Sequence, residues 1–141
     1  MERIEVPASV YWQAKTGKRF NNKEDCEKYE RLYDKWWNTR RAFEGVEGEE
    51  CFAYWTETKE DLEEILWFAH YAHHAATHNY VRIGTAYKPT WIVLYPYYDE
   101  YGAETSVRSI EDFQEIVSDT LKAAQDTMAE IVKLIEEKQN V

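Results

Sequence analysis

Apolar residues recur at spacings of three and four in three stretches of the chain, and in extended-type runs between them. The first periodic stretch is Cys26, Tyr29, Leu32, Tyr33, Trp36, Trp37 and Phe43, which predicts a helix capped by Asn21 or Asn22 with Asp25 and ended by Gly45. A second helix is predicted over 59–79. Thr58 and Asp61 mark its start, and Glu60, Asp61, Glu63 and Glu64 fill its first turns, where the helix dipole favours acids. The third follows Ser109 and Asp112 and aligns Phe113, Ile116, Val117, Leu121, Ala124, Met128, Ile131, Leu134 and Ile135 on one face. It spans about 28 residues, roughly 42 Å at the α-helical rise.

Residues 3–20 read as extended, with a hairpin turn about Gly17 in TGK. YVRIGTAY and WIVLYPY read as two strands joined by Lys88-Pro89, followed by an aromatic loop, YPYYDEYGAE, and a short strand over 104–108. The fold class is therefore α+β: a small, mostly antiparallel sheet with three helices, the C-terminal one long, in a single domain over 1–141. A helix longer than such a domain needs points to a homo-oligomer formed through residues 110–138.

A chain of 141 residues is long enough to bury a core without staples. Its 16% aromatic content exceeds the usual share, and rings serve both cores and gripping surfaces. Charge is unevenly placed. Residues 1–43 carry ten Lys/Arg against seven Asp/Glu, whereas residues 44–141 carry seven against twenty, including an acidic belt over 44–64. Such a surface repels nucleic acid, so direct nucleic-acid binding is not expected. The start, MERIEVPASV, has no secretory leader and no run matches a membrane span, so a cytoplasmic chain with no membrane partner is expected. Cys26 and Cys51, unrelated in spacing, read as free thiols.

No nucleotide-binding glycine loop, nucleophile elbow or cysteine-pair motif is present. The four histidines all fall in HYAHHAATH, residues 70–78. On a helical wheel His73 joins the apolar arc of Leu62, Ile65, Leu66, Ala69, Ala72 and Ala76, as a buried, hydrogen-bonded histidine would. His70, His74 and His78 fall four apart on the flank with Glu63 nearby, a possible ligand set for zinc or another divalent metal. The general-base glutamate of H-E-x-x-H is missing between them, which favours interface or structural histidines, and no cofactor is the first expectation.

Tyr29, Tyr33, Trp36 and Arg40 share an arc of the first predicted helix, with Arg41 about 100° away. Arginine among rings can hold a phosphate while the rings stack on a base, or can simply make a cation–π contact. Tyr97, Tyr98 and Tyr101 in YPYYDEY form a tyrosine-rich segment of the kind that makes recognition surfaces.

The segment VYWQAKTGKRFNNKEDCEKYERL, with Gly17, Lys18, Phe20, Asp25 in place of the usual glutamate, Cys26, Tyr29 and Glu30, resembles a pattern of small uncharacterised bacteriophage accessory proteins. The resemblance implies an origin in phage and action inside an infected host cell, by stoichiometric binding that inhibits a host defence or takeover target. The partner would be a host protein, met by the acidic belt and the tyrosine segment, or a nucleotide immune signal, met by Trp36, Arg40 and Arg41. The alternatives are a metal-dependent enzyme built on the histidine helix and a DNA-mimic inhibitor.

Overall fold

The computed structural model describes residues 1–6, 9–45, 48–75, 87–99 and 102–139. The chain divides into two units, Met1–Ser109 and Ile110–Val141. In the first, β1 (Glu2–Val6), β2 (Ser9–Gln13) and β3 (Arg19–Phe20) form a three-stranded antiparallel sheet. Its β2–β3 hairpin closes through Gly17, whose φ of 92° suits a residue without Cβ. Ala14 N–H donates to the Lys18 carbonyl at 2.8 Å across the turn.

α1 (Lys23–Trp36) starts where the Asn22 side chain accepts from the Asp25 amide at 2.9 Å, and buries Cys26, Tyr29, Leu32 and Trp36. The sequence pattern carried this helix on to Gly45; the structure ends it at Trp36. A 3₁₀ turn over Trp37–Thr39 follows, with the Thr39 hydroxyl donating to the Trp36 carbonyl, and the chain then becomes strand β4 (Arg41–Glu44). Phe43 continued the apolar spacing by coincidence. Its place is set by long-range pairing with Cys51 on β5 (Glu50–Thr56), which no local periodicity reveals.

α2 (Lys59–Ala72) has the capping box expected of Thr58 and Asp61: the Thr58 hydroxyl accepts from the Asp61 amide, and the Asp61 carboxylate accepts from the Thr58 amide. It ends at Ala72, short of the expected 79. His73 is its C-cap, donating its amide to the Ala69 carbonyl, and His74 takes φ 58°. Leu62, Ile65, Phe68 and Ala69 are the buried positions.

β6 (Thr90–Asp99) and β7 (Gly102–Ser109) complete a second antiparallel sheet in the order β4-β5-β6-β7. The expected aromatic loop is therefore largely strand: Tyr97 pairs with Glu104 and Tyr98 with Ala103. Pro96 lies beyond Leu94, where the pairing of β6 with β5 ends, so its missing N–H interrupts no bond to that strand. The expected strand over 80–87 lies outside the described residues except for Tyr87.

The core joins both sheets to α1 and α2 through Ala14, Phe20, Leu32, Tyr54, Ile65, Phe68, Ile92, Leu94 and Val107. The expected α+β class holds, with three helices and, in place of one sheet, two antiparallel sheets among the described residues. The second unit is α3 (Ile110–Gln139), in which residues 118–137 are all exposed. Among the described residues, no helix is long and apolar enough to cross a membrane.

Candidate functional site

Rings crowd the junction between α1, β4, β5 and the end of α2. Trp37 lies parallel to Tyr33, with centroids 5.1 Å apart, and stacks on the His73 imidazole at 5.5 Å. Phe52 approaches the same imidazole at 5.0 Å, while Phe68 and Tyr54 meet it edge-on. Inside this enclosure His73 Nε2 and the Tyr54 hydroxyl share a 2.7 Å hydrogen bond. Burial, then the Arg40 and His74 charges, pushes the His73 pKa down to about 4; burial above all holds the Tyr54 phenol well above its ordinary range. At neutral pH the pair is uncharged.

Arg40 closes this nest. Its Nη1 donates to the Trp37 carbonyl at 2.7 Å, and its Cζ sits 3.9 Å from the Trp37 ring centroid and 5.8 Å from that of Phe52. Its buried Nε has no hydrogen-bond partner. No carboxylate among the described residues pairs with it. A guanidinium held by its face to a ring keeps its N–H edge for an anion.

Arg41 goes elsewhere. Paired with Ala53, it lies on the sheet face away from Phe52, with its Cζ 5.5 Å from the Trp91 ring. Trp91 and Trp55 are cross-strand partners with centroids 5.4 Å apart, and Trp55 is 40% exposed. β4 is the outer strand of its sheet and exposed along its whole length.

The candidate set of Trp36, Arg40 and Arg41 drawn from the sequence is thus not one surface. Trp36 is a core residue whose indole N–H donates to Glu64, and Arg40 lies outside the helix. Trp37, Trp55 and Trp91 take the places beside the arginines; their signal was the aromatic excess itself. Much of the acidic belt is occupied internally. Glu64 accepts from Lys35 at 2.5 Å, Asp61 caps α2, and Glu57 accepts from Trp55. Tyr97 and Tyr98 lie on β6 by register, and Tyr101 is outside the described residues.

Of the candidate metal ligands, Glu63 is exposed on α2 and His70 uses Nδ1–H to donate to the Ala75 carbonyl at 2.6 Å. His74 lies beyond the helix end with φ 58°, so the expected His70–His74 helical spacing is lost; His78 is outside the described residues. Among the described residues, no three His, Cys, Asp or Glu side chains are grouped to hold a metal ion. Cys26 and Cys51 are free and buried, and burial pushes both thiols up.

Compared with known proteins, the chain matches no family model, no curated protein and no solved structure.

Proposed function

We propose that the protein acts by stoichiometric binding, as a phage-type accessory protein in the cytoplasm of an infected cell, inhibiting a host defence or takeover target by occupying it. The observation that supports this reading is a pair of adjacent arginines without acids. In a chain with 27 Asp and Glu, neither Arg40 nor Arg41 has an ion pair among the described residues, and each lies over a tryptophan. Aromatic and arginine side chains with free donors are the residues that dominate binding energetics.

A host protein suits the geometry better than a nucleotide signal. Arg40 contacts Phe52 and Arg41 contacts Trp91, side chains on opposite faces of the sheet, so a ligand that engages both must straddle the β4 edge. A polypeptide presenting carboxylates on either side of an added strand can do this.

Capture from host lysate followed by native mass spectrometry tests the proposal. The wild-type chain should retain a polypeptide at fixed stoichiometry, and Arg40→Ala and Arg41→Ala should each reduce capture at least tenfold. Equal capture by both variants and wild type refutes this surface, and retention of a small molecule in place of a polypeptide returns the nucleotide reading.

A further inference from the structure

A different surface goes beyond that reading. From Val117 one apolar series of α3, Val117, Leu121, Ala124, Met128, Ile131 and Ile135, alternates steps of four and three through five intervals, with Val132 and Leu134 beside it. This is the spacing a coiled-coil seam uses, over about 27 Å at the helical rise. Leu121, Met128, Ile131, Val132, Leu134 and Ile135 are each between 43% and 62% exposed in a single copy. On two copies these residues present on the order of 1,200 Å², the lower end of a stable specific interface.

We infer that α3 pairs with the α3 of a second copy in antiparallel orientation, about a twofold axis between Gln125 and Thr127. The register follows from side-chain volume. Set antiparallel, Val117 faces Ile135, Leu121 faces Ile131 and Ala124 faces Met128, and symmetry repeats these three layers. The smallest seam residue thereby meets the longest and most adaptable one. A parallel pair instead places Ala124 on Ala124, a thin layer between the wider Leu121 and Met128 layers.

The flanks agree. Ser118 faces Val132, Thr120 faces Leu134, and Gln125 and Thr127 each meet their own copy across the axis. All are uncharged. Asp119, Lys122, Asp126, Glu130, Lys133, Glu136 and Glu137 fall outside these positions, so no like-charged pair crosses the seam of a strongly acidic chain. Polar flanks at the middle keep the apolar stripe narrow there, which suits one partner helix rather than a larger bundle.

Sedimentation of the full chain at micromolar concentration should give twice the 16.9 kDa chain mass. Met128→Glu should give the monomer with an unchanged circular dichroism spectrum, because Met128 is 58% exposed in one copy. Orientation is read by oxidation. Ala124→Cys combined with Met128→Cys should form a disulfide-linked dimer and Ala124→Cys alone should not, with the parent chain, whose two thiols are buried, as control. A monomeric parent, a trimer or tetramer, or linking by Ala124→Cys alone each overturns the antiparallel pair.

Discussion

His73 carries a measurable signature of its surroundings. Its folded-state pKa of about 4 lies below the ordinary value of 6.5, so between these values the unfolded chain binds a proton that the folded chain does not. Stability from this group is complete above pH 6.5 and is lost as pH falls toward 4, by about 3 kcal/mol in total. Urea denaturation at pH 7 and pH 4.5 should show the drop, and His73→Phe should shrink it; an undiminished drop in that variant would assign the acid sensitivity to carboxylates. Tyr54→Phe should cost about 1–3 kcal/mol at pH 7, since it strips His73 Nε2 of its buried partner. The burial of His73 was legible from the helical wheel, because Leu62, Ile65 and Ala69 set the arc one turn at a time. The metal stripe was not a sound extrapolation: it required the helix to pass His74, where the backbone turns left-handed.

Helix starts were easier to read than helix ends. Asn22–Asp25 and Thr58–Asp61 stand as expected because a cap is a contact between residues three apart, written wholly in local sequence. Thr58→Ala should lower stability by about 1 kcal/mol, measured by denaturant midpoint at unchanged slope. The same change at Thr39, whose hydroxyl donates to the Trp36 carbonyl and satisfies no orphan amide at a helix start, should cost less. The ends depend on distant chain. β4 exists because Arg41–Glu44 meets Glu50–Ala53, and β5 escaped notice because CFAYW is apolar on both faces and lacks a period of two. The candidate site moves with this change: on a continuing helix Arg40 shares the arc of Trp36 with Arg41 about 100° away, whereas a strand sends Arg41 to the face opposite Phe52, beside Trp91.

At the scale of the whole molecule, order should be unevenly distributed. Amides of α2, β5 and the Trp91–Leu94 part of β6 lie around Tyr54, Phe68 and Ile92, all fully buried, and should exchange slowest with deuterium. Residues 118–137 are all exposed in one copy, so their protection should rise with protein concentration if the helices pair, and hydrogen exchange at two concentrations measures this. Such unevenness has a counterpart at β4. An outer strand is a template for indiscriminate stacking, and here Arg41 and Glu44, both exposed, stand along it. Replacing both with threonine should yield thioflavin-binding fibres where the parent stays clear in solution. Two charged side chains thus stand guard over the outer strand of the second sheet.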